Sequence, residues 1–294
     1  FARTDGDDSA RVLLKNANNL LHMQAADSGL SPTQWQADTF PQPFRSRINV
    51  AHDGVDTTIV KPRPDVSLAL RSAGGALHLT RADEVITFVN RNLEPYRGFH
   101  VFMRALPQLL ARRPHARVVI VGDNRASYGA NPGDGRTWRQ VCTDEVRPSI
   151  PDSDWARVHF VGQLDYVTFI ALLQLSRVHI YLTYPFVLSW SLLEAMSAGC
   201  AIVASDTAPV REAIEHGVTG RLVDFFDTQA LASSVCRLLE DEGERVRLGA
   251  AARQHAVRHY DLQSICLPRQ LAWVRALASV IADPARTARS AVPA

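Results

Sequence analysis

Short apolar runs alternate with helical stretches along most of the chain. The runs Val85 to Val89, Arg117 to Val121, Val158 to Val161, Val178 to Tyr181, Ala201 to Ala204 and Arg221 to Val223 are too short for helices and rich in β-branched residues, so they predict strands. Between them, Phe99 to Arg112, Thr137 to Val146, Asp165 to Ser176, Ser189 to Ala198 and Val210 to His216 read as helices. The first puts Phe99, Phe102, Met103, Leu106, Leu109 and Leu110 on one face, and Pro107 inside it predicts a kink. Thr228 to Leu239, Gly243 to Tyr260 and Pro268 to Ala282 add further helices. Such alternation predicts an α/β fold with a doubly wound parallel sheet, in which ligands bind at the carboxyl ends of the strands.

Ahead of Thr80 the pattern is different. Ser9 to Ala26 has helical spacing of Val12, Leu13, Leu20 and Leu21, and a short amphipathic piece surrounds Trp35. Ile48 to Ala51 is a strand candidate that leads into His52-Asp53-Gly54-Val55-Asp56, a turn by its Asp-Gly pair. Lys61-Pro62-Arg63-Pro64 reads as an extended linker, because a residue before proline is held out of the helical region. The expected organisation is residues 1–60 as the end of an incomplete domain with its hinge, 61–79 as a linker, 80–260 as one complete doubly wound domain, and 261–294 as a helix with a flexible tail.

Composition narrows the classes. The 294 residues are 46% hydrophobic and 21% charged, which is globular, and 32 basic against 30 acidic residues leave a net charge of +2, so no nucleic-acid partner is expected and any basic site is local. Lys15 and Lys61 are the only lysines. The arginine excess suits phosphate or carboxylate, although its even spread also fits a compositional bias. Cys142, Cys200, Cys236 and Cys266 are far apart without a CxxC, which suggests reduced structural cysteines in a cytoplasmic protein. No apolar run reaches the roughly 18 residues of a membrane span, and the charged opening is no signal peptide. The first residue is Phe1, so a processed or truncated piece of a longer protein is expected, a cloning artefact being equally compatible.

Candidate chemistry follows the strands. Asn90 to Gly98 holds Arg91 and Arg97 around a proline turn at a helix start, where they can converge on an anion or stay solvated. Gly98 would allow close backbone approach, and Gly122 either makes room for a ligand or serves a turn. Ser189 and Ser191 fit a helix N-cap region able to hold phosphate. Glu194 sits in an otherwise apolar helix, so it needs a partner unless it faces solvent. His159 reads as a packed or edge histidine, Asp206 or Thr207 as a helix cap, and Asp152-Ser153-Asp154, standing before a strand, as a turn rather than a metal site. There is no CxxC, HExxH, GxxxxGK[ST], GxSxG or GxGxxG, so motif support for zinc sites, Walker-type ATP hydrolysis, serine hydrolysis and dinucleotide redox chemistry is lacking.

Taken together, RNLEPYRG, VVIVGD, VHFVGQL and SLLEAMSAGCAIVASDTAPVREAIEHGVTGRLVDFFD resemble the nucleotide-sugar-binding domain of the retaining glycosyltransferases of family 4, which have the GT-B fold. INVAHDGVDTTIVKPRP resembles that family's hinge, with Asp53 where Asn is usual. The resemblance implies a Rossmann-like carboxyl-terminal domain with a remnant of the amino-terminal one. It also implies transfer of a sugar from a nucleoside diphosphate sugar to a glycan or lipid-linked acceptor with retention, without cofactor or metal. Catalytic roles fall on Arg91 and Arg97, which match the family's diphosphate-binding Arg and Lys, and on Glu194, which matches the second glutamate of E-x7-E; Asn92 rivals Arg91. Further donor-binding positions are Gly98, Gly122, Phe160, Gly162, Phe186, Ser189, Trp190 and Ser191. The first E-x7-E glutamate falls on Phe186, and the family's amino-terminal glycine-rich loop and histidine have no counterpart. Taken alone, the chain is expected to bind nucleotide better than it transfers sugar. A non-catalytic nucleotide-sugar-binding subunit and a GT-B-fold epimerase are the competing expectations, and peripheral contact with the inner membrane face stays open for lipid-linked acceptors.

Overall fold

The computed structural model describes residues 6–72 and 75–281, so the flexible tail expected from Asp283 to Ala294 lies outside the described residues. The chain divides into two compact units, Phe1–Asp53 with Cys266–Ala294, and Gly54–Ile265. The first begins with α1 (Gly6–Ala25), β1 (Gly29–Ser31), α2 (Gln34–Asp38) and β2 (Ile48–Val50), and β1 pairs with β2 in parallel. The Arg47 guanidinium donates to the Ala26 and Met23 carbonyls at 2.7 Å each, which satisfies carbonyls that the end of α1 leaves open.

The second unit opens with an antiparallel hairpin, β3 (Ser67–Ser72) and β4 (Gly75–Thr80). It continues with β5 (Glu84–Asn92), α3 (Phe99–Arg112), β6 (Ala116–Asp123), α4 (Trp138–Val146), α5 (Asp152–Trp155), β7 (Val158–Gly162), α6 (Tyr166–Leu175) and β8 (Val178–Tyr181). It ends with α7 (Trp190–Ser197), β9 (Ala201–Ser205), α8 (Ala208–Arg211), β10 (Arg221–Val223), α9 (Thr228–Glu240) and α10 (Glu242–Tyr260). The last helix, α11 (Leu267–Ile281), belongs to the first unit, where Trp273 Nε1 donates to Ser28 Oγ at 3.0 Å. Among the described residues no helix is long and apolar enough to cross a membrane.

Strands β5 to β10 form one six-stranded parallel sheet in the order β10-β9-β8-β5-β6-β7. Ile86, Phe88, Val118, Ile120, Ile180 and Val203 pack on one face under α3, α4 and α9, with Phe88 stacked on Phe102 at 4.4 Å. On the other face Tyr181, Ile202 and Ala204 meet α6, α7 and α10, while Val85, Val89, Val119 and Val121 lie under the hairpin residues Leu70, Leu77 and Leu79. Burial on both faces is why these strands read as continuous apolar runs. β5 has β6 on one side and β8 on the other, so the loops after β5 and β8 leave in opposite directions and open a crevice between them.

Three expectations change. The linker over 61–79 gives way from Ser67 onward to the hairpin, whose alternating Val66, Leu68, Leu70, Leu77 and Leu79 bury one side on the sheet in place of a helix. The helix over Val210 to His216 shrinks to Ala208–Arg211, started by Pro209 in the first turn. The acidic triplet is not a turn but the single-turn helix α5, where Asp152 pairs with Arg147 and Asp154 with Arg157. α3 itself runs through Pro107 without interruption.

The units divide after Asp53 and after Ile265, so the hinge residues 54–60 and Asp261 fall with the doubly wound unit. Val55 N donates to Tyr260 O at 2.8 Å and Leu262 N to Val55 O at 2.9 Å. Burial opposes the Asp261 charge, but hydrogen bonds from the Ser264 and Thr57 hydroxyls and from backbone N–H groups more than offset it and pull this acid down to about 2.

At the contact of α10 with the turn before β9, a Cβ on Gly249 would sit 2.4 Å from the Gly199 carbonyl oxygen. Ala normally improves a helix interior over Gly by about 1 kcal/mol. Here the backbone clash reverses the sign, and Gly249→Ala is expected to destabilise the protein by about 1–3 kcal/mol in urea unfolding.

Candidate functional site

Residues 93–98 follow β5 and residues 182–189 follow β8, and the Tyr184 N–H ties the two loops by donating to Tyr96 O at 2.9 Å. Between them and the start of α7 lies a cavity of about 620 Å³. Its lining includes Arg91, Asn92, Arg97, Ser189, Trp190, Ser191 and Glu194, so seven of the residues singled out from the sequence meet in one place.

Arg97 is 8% exposed and uses Nη1 to donate to Thr183 Oγ1 and to the Val187 carbonyl, both at 3.1 Å. The Tyr128 and Phe186 rings lie side by side on one side of its guanidinium carbon, at 5.6 and 5.2 Å. Arg91 is exposed, and among the described residues neither arginine forms an ion pair. Asn92 stays a rival by position, since it is buried on the same wall, donates to Ser127 Oγ, and has an Oδ1 without a partner among the described residues.

Two carboxylates line the cavity, and both are engaged. Glu94 is buried and its Oε2 accepts from the N–H groups of Ser127, Tyr128 and Gly129 at 3.1, 3.1 and 3.3 Å, which fixes the loop after β6 against the cavity. Glu194 is 8% exposed; burial raises its pKa, and a hydrogen bond from the Tyr166 hydroxyl holds the rise back. That hydroxyl is pushed up to about 12, first by burial and then by the Glu194 charge and hydrogen bond. Glu194 therefore has a partner and does not face open solvent.

Ser189 caps α7 without a bond from its own side chain. Its N–H donates to the Tyr181 hydroxyl at 2.9 Å, and its Oγ lies 2.8 Å from that of Ser191. Leu192 N donates back to Ser189 O at 3.1 Å, and the start of α7 with its two linked hydroxyls lies at the cavity wall, where a helix start favours an anion.

Five expected positions do not line the cavity. A Cβ on Gly98, at φ +69°, would stand 2.3 Å from Leu182 Cβ, so this glycine lets α3 close on the strand end rather than a ligand approach. Gly122 likewise makes room for the Asn90 carbonyl and Leu93, which a Cβ at this position would meet at 2.9 and 2.8 Å. Phe160 points away from the cavity and lies under the Arg139 guanidinium at 4.1 Å, in a second cavity of about 560 Å³ lined from α4, α5 and β7. Gly162 ends β7 in open surroundings, and its successors Gln163 and Leu164 reach the first cavity instead. Phe186 stands behind Arg97, with its ring 4.7 Å from that of Tyr128. Glu94, Tyr128, Tyr166, Tyr181 and Gln163 join the site without being named among the candidate residues; Glu94 falls within RNLEPYRG and Gln163 within VHFVGQL, where the motifs give a signal, and Tyr128 is a lone tyrosine in the glycine-rich loop after Val121.

Residues 77–255 match the family model of the glycosyl transferases group 1, and residues 1–60 that of the glycosyl transferase family 4 group. The chain belongs to the glycosyl transferases group 1 family. It is 32% identical over 186 residues to a phosphatidyl-myo-inositol mannosyltransferase of Mycolicibacterium smegmatis, covering 62% of this chain and 42% of that protein. A D-inositol 3-phosphate glycosyltransferase of Corynebacterium urealyticum is 29% identical over 217 residues, covering 73% and 48%. The chain thus spans about half the length of the curated relatives it matches. Among solved structures, Anabaena HepE in complex with UDP and glucose aligns at a TM-score of 0.65 and 21% identity over 86% of this chain and 64% of that one. Sucrose-phosphate synthase from Thermosynechococcus elongatus aligns at 0.69 and 19% over 86% and 59%. These likenesses establish the GT-B-type, Rossmann-like fold of this family member.

Because the Glu194 pKa is raised in the folded state, the folded protein holds this proton more tightly than the unfolded chain does, and stability falls as pH rises above the ordinary glutamate range. Glu194→Gln removes that loss. Its stability relative to wild type should increase between pH 4 and pH 7 in paired urea titrations, and an unchanged difference would contradict the buried-acid account.

Proposed function

We propose that this chain supplies the donor-binding half of a retaining glycosyltransferase, which moves a sugar from a nucleoside diphosphate sugar to an acceptor hydroxyl. The observation that carries the reading is the convergence of two arginines without ion-pair partners and the start of α7 on one cavity at the sheet's switch point. As the bond from the anomeric carbon to the phosphate oxygen breaks, negative charge builds on the leaving diphosphate. Arg97, Arg91 and the α7 N–H groups would stabilise that charge, the task a divalent ion performs elsewhere. Glu194, steadied by Tyr166, would accept hydrogen bonds from the ribose hydroxyls.

Acceptor binding would fall to parts of such a transferase outside this chain, in keeping with its match to less than half the length of its relatives. Their names, a phosphatidyl-inositol mannosyltransferase and an inositol phosphate glycosyltransferase, favour a glycan, polyol or lipid-linked acceptor. Phe186 in place of a carboxylate favours a second reading, a subunit that binds nucleotide sugar without turnover.

Calorimetry with UDP and GDP tests the donor site. Arg97→Ala should lower affinity for the preferred diphosphate by about thirtyfold, as expected for losing a charge-assisted contact of about 2 kcal/mol. Unchanged affinity would sink the assignment. Product analysis by NMR on a full-length transferase containing this chain then separates transfer with retention from binding alone.

A further inference from the structure

We propose that Phe186 and Tyr128 form an aromatic clamp that holds Arg97 in place without neutralising it, making the cavity a receptor for a diphosphate. The inference rests on the donor-site reading above. The two rings lie 5.2 and 5.6 Å from the guanidinium carbon and 4.7 Å from each other, so they adjoin and press on it from one side, while Thr183 Oγ1 and Val187 O accept from its Nη1. Tyr96 braces Phe186 edge-on at 5.7 Å and 73°. A π face attracts a cation, yet it offers no carboxylate oxygen to pair with it, so the charge remains available to a ligand.

The rest of the cavity keeps to the same scheme. The Glu94 carboxylate is engaged by three backbone N–H groups, among them that of Tyr128, so it positions one ring of the clamp instead of pairing with Arg97. The Glu194 carboxylate is held by Tyr166. A carboxylate at position 186 would stand within reach of the guanidinium in a poorly solvated place, where an ion pair cancels the charge an incoming anion needs. Restoring the glutamate that the family pattern carries at this position should therefore weaken diphosphate binding rather than improve it. Phe186 and Tyr128 are positioning residues, acting through Arg97.

The test is calorimetry of inorganic pyrophosphate, which carries the diphosphate chemistry without a base or sugar. Phe186→Glu should lose about thirtyfold in affinity and Phe186→Gln about threefold, while Phe186→Tyr brings binding back to within about twofold of wild type. The gap between the Glu and Gln variants should close only as pH falls below the ordinary glutamate range, because pairing with Arg97 delays protonation of the introduced carboxylate and protonation then removes the pair. Damage to the fold would weaken both variants alike at every pH. Equal losses for the two, or Phe186→Glu binding as tightly as wild type, would overturn the clamp. Arg97→Ala run alongside separates the two levels. If it loses pyrophosphate while the Phe186 series is flat, the donor site stands and the clamp falls; if it binds like wild type, or wild type does not bind at all, the donor-site reading falls and the clamp with it.

Discussion

A guanidinium that is 8% exposed carries a full charge out of bulk water, and Arg97 rests there on neutral oxygens, Thr183 Oγ1, Val187 O and the Tyr181 hydroxyl, and on aromatic faces. Removing an unpaired charge from water costs several kcal/mol, and neutral acceptors recover that only when they are held in place. The surrounding structure supplies the rigidity. Thr183 and Val187 lie on the loop after β8, which Tyr184 ties to the Tyr96 carbonyl, and Tyr181 fixes the far end of that loop through Ser189. Gly98 brings α3 against Leu182 close enough that no side chain fits between. Packing of the sheet and chemistry of the cavity thus share the same few residues, so loosening one loosens the other.

The parts of this arrangement that the sequence discloses are those encoded in runs of side chains. β5, β6 and β8 are legible because burial on both faces makes them predominantly apolar, with Thr87 and His179, paired to each other, as buried exceptions, and the helix bearing Glu194 is legible because a lone acid among Leu193, Ala195 and Met196 demands an explanation. Its partner is not legible, since Tyr166 comes from a different helix and is joined to it by the winding of the chain. Glu94 is hidden for another reason: its partners are main-chain N–H groups, which carry no sequence identity. Phe160 falls outside the cavity because it lies in the middle of its strand and points to a flanking layer, whereas the cavity meets the carboxyl ends of the strands and the residues just beyond, here Gln163 and Leu164. The hairpin is masked by Pro62 and Pro64, whose linker signal precedes an alternation only six residues long in each arm.

The preference for arginine over lysine, which composition alone leaves ambiguous, has a structural side. Arg157 reaches the carbonyls of Leu110, Arg113 and Ala116 at the end of α3, and Arg253 reaches those of Val60 and Ser197. Arg47 does the same at the end of α1. One planar fork can satisfy several diverging carbonyl oxygens at once, which an ammonium on a flexible stem does less well. Much of the positive charge in this chain is therefore committed to helix ends and turns, and Arg91 and Arg97 differ from these in facing a cavity.

The doubly wound unit runs from Gly54 to Ile265, and near its two ends Val55 and Leu262 are hydrogen-bonded neighbours. A module whose two ends touch closes on itself with almost no entropic penalty for joining them. It is a cassette in the topological sense: its ends meet, and the sheet and its covering helices lie between them. Every residue that lines the cavity lies between those ends, so the cavity is contained whole within one closed stretch of chain.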